Sequence, residues 1–376
     1  MKMLHLYSNW KWTGPAEHAL NLARYLTKRG HDLTFACGRA PHAVDDSLEK
    51  RAQEGGIRLM NEFHLNKHFN IWQDTIDIVR LVHLINDRSY ELIHTHLFND
   101  HFIAGAAKRI TSKKIPLIRT VYEGEGVLPS VRNRALFSYG TDGVIAVSEL
   151  SRRRMGEHFY FPAERIWTIS PGVDGNRFNQ GIEGSSVRTR FGVAVDDPLI
   201  GMVARVQPHR RFDVFLKAIS TAVHKLPTLK VFIIGRGTHI QKVAMEPAEA
   251  LGLKDRVIFT GYRMEDYPRV LASLDVKVFL VPGTDGSCRA VKEAMAMGKP
   301  VIVARRGMLP EIVEDGVSGM VVDDTPENLA NAIITLVSDV SLRKKMGEAA
   351  RERVTRYFNL ETQLLKVEEV YRKVIG

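Results

Sequence analysis

Read for its alternation of apolar and polar positions, the chain repeats one pattern: a short aliphatic run, then a stretch where apolar residues recur every three or four positions. In the first half, the runs at 3–7, 32–37, 57–60, 91–95, 116–121 and 142–147 predict strands. Amphipathic stretches separate them, such as 16–29, where Leu22, Ala23 and Leu26 share one face. Such strand–helix alternation predicts a parallel sheet covered on both faces. The pattern breaks at 171–190 (PGVDGNRFNQGIEGSSVRTR), rich in Gly, Asn and Ser, which reads as a linker. It restarts with strands predicted at 199–204, 229–234, 256–260, 275–280 and 300–303. A last helix, 360–375, sets Leu360, Leu364, Val367, Tyr371 and Val374 on one stripe. The expected fold class is α/β: two Rossmann-like, doubly wound parallel-sheet domains, 1–180 and 181–358, facing each other across a cleft. The helix at 359–376 is a candidate to cross back to the N-terminal domain. In open sheets of this kind ligands sit at the carboxyl ends of the strands.

Length agrees with two cores, since 376 residues exceed the roughly 150 typical of one domain. With 44% hydrophobic and 26% charged residues and no low-complexity tract, nothing points to disorder. The apolar run at 276–281 (VKVFLV) is far shorter than the roughly 20 residues that span a bilayer. The opening MKMLHLYSNWKW lacks an h-region and cleavage site, so it reads as a strand rather than a signal peptide. Cys37 and Cys288 fall in different halves, which argues against a disulfide framework and fits a reducing cytoplasm. The net charge of +10 raises nucleic acid, an anionic membrane and phosphorylated small molecules as partners. It divides evenly, +5 in residues 1–180 and +5 in the rest, so it forms no tail. Arg152–Arg154 and Lys113–Lys114 read as a solvated helix face and a turn. No RNA-binding aromatic motif, zinc-finger spacing or zipper heptad occurs, so nucleic acid is not an expected partner. Membrane contact, at the inner face, would be peripheral and through the basic first domain.

Three segments suit phosphate or sugar hydroxyls. Thr13-Gly14-Pro15-Ala16-Glu17 follows the first strand; Gly14 admits close backbone approach and Pro15 suits a helix start, whose free N–H groups favour a diphosphate. Arg205 and Arg210 follow strand 199–204, where guanidinium groups would offset a leaving diphosphate. Arg211 reads instead as a solvated first turn of the next helix. In LVPGTDGSCRAVKEAMAMGKP (280–300), a loop feeds a helix that stops near Gly298-Lys299-Pro300. There Asp285 and Glu293 would accept protons from sugar or ribose hydroxyls, and the N–H groups of Cys288, Arg289 and Ala290 would take phosphate oxygens. His94 and His96 end a strand two apart and face one side, but spacing places no third ligand, so no metal site is expected. His96 is a candidate sugar contact and His94 a structural residue. Gly235-Arg236-Gly237 is a glycine turn without the full dinucleotide fingerprint, and Gly172-Val173-Asp174 reads as structural. Cys288 lacks a histidine nearby in sequence to make it a nucleophile.

These residues resemble a known family. The segments SPGVDGNRF, GMVARVQPHRRFDVFLKA, VFIIGRG, VIFTGYR and DGSCRAVKEAMAMGKPVIVARRGMLPEIVEDGVSGMVV are similar to the retaining glycosyltransferases of family 4, of GT-B fold. The first half matches more loosely, through TGPAEHALNLARYLTKRGHDL, ELIHTH and VIAVSE. The resemblance implies that Arg205 and Arg210 hold the donor diphosphate and that Glu293, second glutamate of an E-x7-E signature, binds the ribose. It puts Asp285 against the donor sugar, Gly14 in the N-terminal donor loop, His96 near the sugar, and Tyr262 and Arg263 at the base. Asp285 stands for the usual glutamate, Arg210 for a lysine, Cys288 for a glycine, Tyr122 for a histidine and Pro171 for an asparagine.

The activity so implied is metal-independent hexosyl transfer with retention, from a nucleotide-diphosphate sugar that serves as substrate rather than cofactor. UDP-sugar is the first expectation, with GDP- and ADP-sugars as alternatives; the acceptor would be a saccharide or lipid-linked glycan, as in lipopolysaccharide or polysaccharide biosynthesis. Two alternatives stand beside it. A GT-B sugar-nucleotide epimerase would yield an epimerised nucleotide sugar, and a non-catalytic binding subunit would bind no nucleotide.

Overall fold

The computed structural model describes residues 1–41, 46–282 and 288–376. The chain divides into two compact units. The first comprises Met1–Gly172 with Glu361–Gly376, and the second the described residues between Val173 and Leu360.

The first unit holds strands β1 (Lys2–Tyr7), β2 (Asp32–Cys37), β3 (Leu92–Thr95), β4 (Leu117–Val121), β5 (Gly143–Ala146) and β6 (Ile166–Thr168), in the order β2-β1-β3-β4-β5-β6. Every pairing is parallel. Helices connect them because a parallel return needs a crossover. The connection after β1 is Gly14–Lys28, capped by Thr13, whose Oγ1 accepts the Ala16 N–H at 3.4 Å. Its inner face buries Leu22, Ala23 and Leu26 as the periodicity predicted.

The second unit holds β7 (Leu199–Val203), β8 (Lys230–Ile234), β9 (Val257–Gly261), β10 (Val276–Phe279), β11 (Val301–Ala304) and β12 (Gly319–Val322), in the order β12-β11-β10-β7-β8-β9. These pairings are parallel too. Successive residues of β8 serve opposite faces: Val231 and Ile233 join one apolar cluster, Phe232 and Ile234 the other. That is the two-sided burial that makes a parallel strand continuously apolar. In each sheet the strand order reverses beside the first strand of the unit, between β1 and β3 and between β7 and β10.

Residues 57–60 do not form a strand of their own: Leu59 makes one isolated bridge to Phe35, framed by Phe35 N–H to Arg58 O and Met60 N–H to Phe35 O. Residues 171–190 are not a free linker. Val173, Phe178 and Val187 are buried in the second unit, and Ser185–Arg190 is helical. The Asn and Asp side chains that suggested a loop make tight turns instead, Asp174 Oδ1 accepting from Asn176 N–H and Asn179 Oδ1 from Gly181 N–H. The last helix, Leu360–Ile375, packs its residues from Glu361 onward with the first unit. It buries Leu364, Val367 and Tyr371, and also Gln363, Glu368 and Val370.

Candidate active site

In the second unit the exits of β7 and β10 lie side by side, because Val276–Val278 pair with Ile200–Met202. Arg205 leaves β7 exposed, with no hydrogen bond or ion pair to another described residue. Its backbone is held from beneath: Ala204 N–H donates to Ile234 O and Val206 N–H to Arg236 O, each at 3.1 Å. The glycine turn after β8 makes this approach feasible. A Cβ at Gly235, whose φ is +148°, would stand 2.1 Å from Ala204 O, and one at Gly237 would stand 2.0 Å from Val206 O. Side-chain-free backbone is therefore required there.

Arg210 ends the 3-10 turn Pro208–Arg210, half-buried, and its Nη1 donates to Val281 O at 2.9 Å, just past β10. One cation thus ties the β7 exit to the β10 exit. Arg211 is not a solvated first turn. It caps the following helix at φ +61°, and its Nε lies 3.1 Å from Asp324 Oδ2 while Nη2 donates to Asp324 O at 2.9 Å. A left-handed arginine is strained, and this double contact holds it.

The helix Arg289–Ala296 begins at Cys288, buried and also left-handed at φ +45°. Glycine adopts that conformation without a Cβ penalty, and glycine is the residue the resemblance leads one to expect at this position. Ala290 follows in the first turn, half-buried. One turn on, the Glu293 carboxylate is buried and accepts from Arg289 Nε at 3.1 Å, with Arg289 Nη2 3.0 Å away. Glu293 thus partners Arg289 one turn back on its own helix, while the Lys292 Nζ lies 5.1 Å from the Phe358 ring centre. A half-buried phenol and a buried ammonium crowd Glu293. Desolvation, then the Glu293 charge, holds the Tyr267 phenol well above its ordinary range. Burial pulls the Lys277 ammonium well below its ordinary range, with Glu293 opposing. Asp285 lies outside the described residues.

Tyr262, half-exposed after β9, carries the Arg236 guanidinium 4.5 Å from its ring centre. Arg263 is turned away into Asp266, Nε donating to Oδ1 at 2.8 Å. The structure thus brings Arg205, Arg210 and the helix headed by Cys288 to one sheet edge.

In the first unit, Gly14 opens its helix behind Thr13, whose Oγ1 lies 2.9 Å from Tyr7 OH. Across the strand-order reversal, Asp100 pins β1's exit to β3's. It accepts from Ser8 N–H at 2.6 Å, His96 N–H at 3.1 Å and Leu97 N–H at 2.8 Å. Burial raises its carboxyl to about 6, opposed by Arg119, whose Nη1 is 3.9 Å away.

His96 is completely buried and both ring nitrogens are engaged, Nδ1 with Tyr122 OH at 3.0 Å and Nε2 with His5 Nδ1 at 3.4 Å. His5, on the neighbouring strand, reaches Tyr371 OH through Nε2 at 3.2 Å. The same hydroxyl meets His94 Nδ1, and His94 Nε2 meets Thr120 Oγ1 at 2.7 Å. Sequence spacing placed no third histidine beside His94 and His96; the fold supplies His5, with ligand atoms of the three within 4.8 Å of one another. Every ring nitrogen of the trio already has a hydrogen-bond partner in the chain. Two proton arrangements satisfy the run from Thr120 to Tyr122, one in each direction, and both keep the imidazoles neutral. Burial agrees, lowering His5 to about 3 and His94 and His96 well below their ordinary range.

Sequence reasoning did not find His5, Asp100, Arg119, Tyr267, Lys277 or the role of Tyr371. Their signal is the packing of distant segments, which local pattern does not carry.

Two doubly wound parallel-sheet units define an α/β protein with strand exits gathered beside each strand-order reversal, and comparison with known proteins specifies its class. Residues 12–177 match the model described as Glycosyltransferase Family 4, and residues 186–353 the one described as Glycosyl transferases group 1. The chain belongs to the group 1, family 4 glycosyltransferases. It is a nucleotide-sugar glycosyltransferase of GT-B fold.

One relative is the N-acetyl-alpha-D-glucosaminyl L-malate synthase of Bacillus anthracis, 22% identical over 94% of this chain and 92% of its own. Another is the D-inositol 3-phosphate glycosyltransferase of Thermobifida fusca, 30% identical over 69% of this chain and 64% of its own. Among solved structures, Anabaena HepE in complex with UDP superposes with a TM-score of 0.84 at 22% identity, covering 99% of this chain and 100% of that one.

Proposed function

We propose that the enzyme is a retaining, metal-independent hexosyltransferase using a UDP-sugar, with GDP- and ADP-sugars as the alternative donors and a glycan or lipid-linked saccharide as acceptor. The observation that carries the donor half of this reading is the sheet edge at β7 and β10: an exposed Arg205, without a partner among the described residues, beside Arg210 and the start of the Arg289–Ala296 helix. Arg205 takes the diphosphate, with Arg210 and the N–H groups of Cys288, Arg289 and Ala290 sharing its charge. Glu293, dry and held by Arg289, accepts from the ribose hydroxyls. Tyr262 stacks on the base beside Arg263, and Asp285 and Gly14 complete the donor contacts. In the first unit, His96 meets the sugar through Tyr122, the group its Nδ1 reaches.

In this mechanism the protein contributes no nucleophile. As the bond to the diphosphate breaks, negative charge grows on the leaving group, and cations already in place stabilise it more than they stabilise the intact donor. The acceptor hydroxyl attacks from the face the diphosphate leaves, passing its proton to a phosphate oxygen. Configuration is kept without the carboxylate pair of retaining glycosidases. UDP and UDP-glucose in the HepE crystals support the choice of donor class.

The test is thermal stabilisation by UDP, GDP, ADP and their sugar conjugates, with and without EDTA, in the native chain and in Glu293→Ala. Selective stabilisation by one diphosphate, indifferent to EDTA and lost in the variant, is the expected result. No shift with any nucleotide would point to a binding subunit instead. An epimerised nucleotide sugar as product would replace transfer by epimerisation.

A further inference from the structure

The glycine turn after β8 carries a cation that the donor-site reading leaves unused. β8 lies between β7 and β9 in the sheet. Arg236 therefore stands between the exit that bears Arg205 and the exit that bears Tyr262. Its main chain is tied to both. Arg236 O accepts the Val206 N–H at 3.1 Å, and the preceding Gly235 N–H donates to Gly261 O at 3.0 Å. The side chain is exposed, with its guanidinium 4.5 Å from the Tyr262 ring centre. It makes no hydrogen bond or ion pair with another described residue.

Arg263, the neighbour of Tyr262 in sequence, differs on this point. Its Nε donates to Asp266 Oδ1 at 2.8 Å, and its Nη2 meets the other carboxylate oxygen. Arg190 Nη1 also lies 3.8 Å from Asp266 Oδ2. The guanidinium beside Tyr262 with donors to spare is thus that of Arg236, whose reach is set by a fixed main chain.

What such a group can read follows from its chemistry. A guanidinium donates hydrogen bonds and accepts none. Beside a stacked base it favours a ring carbonyl over an exocyclic amine, which would set donor against donor. Uracil carries a carbonyl where cytosine carries an amine, and guanine a carbonyl where adenine carries one. A site built to bond one of these groups rejects the other, because its own polar atoms are then left without a partner.

We infer that Arg236 selects the base of the donor, bonding the carbonyl of a keto base stacked on Tyr262 and rejecting amino bases. The Tyr262 ring is where the guanidinium rests in the free chain, at an exposed site where such a contact is weak. When a base stacks there, the side chain swings to the base's edge while the main chain stays tied. The inference rests on the donor-site reading and narrows it: UDP- and GDP-sugars remain as donors, and ADP-sugars do not.

The test is calorimetric titration of the full chain with UDP and CDP, and with GDP and ADP. The members of each pair are close in size and differ at the group in question. Within the pair that binds, the keto nucleotide should bind roughly tenfold more tightly or better, as for other arginine contacts with base carbonyls. Arg236→Ala should lose that preference through weaker binding of the keto nucleotide alone, with its unfolding transition unchanged. Arg236→Lys, still a pure donor, should keep part of it. Equal weakening of both nucleotides, as a contact with the diphosphate would give, overturns the proposal. So does a native chain that binds keto and amino bases alike, or an undiminished preference in folded Arg236→Ala. Binding of none of the four would instead remove the donor-site reading itself, and this inference with it.

Discussion

Tyr371→Phe isolates the hydrogen-bonded run beneath the first sheet from the packing around it. The ring stays, so apolar burial is nearly unchanged; only the hydroxyl that bridges His94 Nδ1 and His5 Nε2 goes. Both histidines are fully buried, so the lost partner leaves their ring nitrogens away from bulk water. An unsatisfied buried polar group costs about 1–3 kcal/mol, so two ring nitrogens imply about 2–6 kcal/mol. For a unit of this size, 1 kcal/mol moves the midpoint by roughly 2–4 °C, so a loss near 3 kcal/mol lowers it by roughly 6–12 °C. The tryptophans make the assay selective. All four (Trp10, Trp12, Trp72 and Trp167) belong to the first unit, so urea unfolding followed by their emission reads that unit alone. Stabilisation by a nucleotide, a property proposed for the second unit, should survive in the variant. A loss below about 0.5 kcal/mol, within the range of ordinary surface substitutions, would show that the hydroxyl is not the bridge described.

Three further outcomes are expected. Arg205→Ala should lower turnover roughly 100-fold or more with its melting unchanged, as for loss of one preorganised donor to developing charge; near-normal turnover in a folded variant removes the assigned role. Acidification should destabilise the first unit: the folded His5 value of about 3 lies below the unfolded 6.5, so its contribution is complete above 6.5 and shrinks as pH falls, by about 2 kcal/mol at pH 5. His94 and His96 act in the same sense, while Asp100, raised by burial to about 6, opposes with about 1.4 kcal/mol at pH 5; tryptophan-detected urea titrations at pH 7.5 and 5 that show a gain on acidification would contradict this balance. Gly235→Ala should cost roughly 3 kcal/mol or more, since its Cβ meets a backbone carbonyl in a conformation alanine avoids, and should weaken nucleotide stabilisation; an unchanged circular-dichroism melt counts against the close approach.

Much of the fold was legible because parallel sheets impose a regular grammar. Two-sided burial makes strands such as Val276–Phe279 stand out as unbroken apolar runs between helical periods. The misses follow from the same physics. Ile166–Thr168 and Gly319–Val322 are edge strands only partly buried, unlike the fully buried inner strand Val276–Phe279, so they do not stand out as runs. Ile57–Met60 has the composition of a strand but pairs at a single bridge. At the site, Arg205 and the Arg289–Ala296 helix were readable because each sits at a strand exit, a position sequence order fixes. The surroundings of Glu293 beyond its own helix were not, since Tyr267 and Lys277 reach it only once the sheet is formed. Farther still, His5 and Tyr371 are 366 positions apart, and no local spacing could pair them.

That separation bears on how the chain is made. The first unit is interrupted in sequence: Met1–Gly172 must wait for Glu361–Gly376, and the described residues between them belong to the other unit. At roughly 5–20 residues per second on the ribosome, the wait is roughly 10–40 s. Throughout it the nascent first sheet lacks the phenol that joins His94 to His5, and Arg29 and His31 lack Glu368. The second unit is contiguous and needs nothing from later synthesis beyond its own end. Order of completion is therefore the reverse of order of translation: the segment made first is the last to become whole.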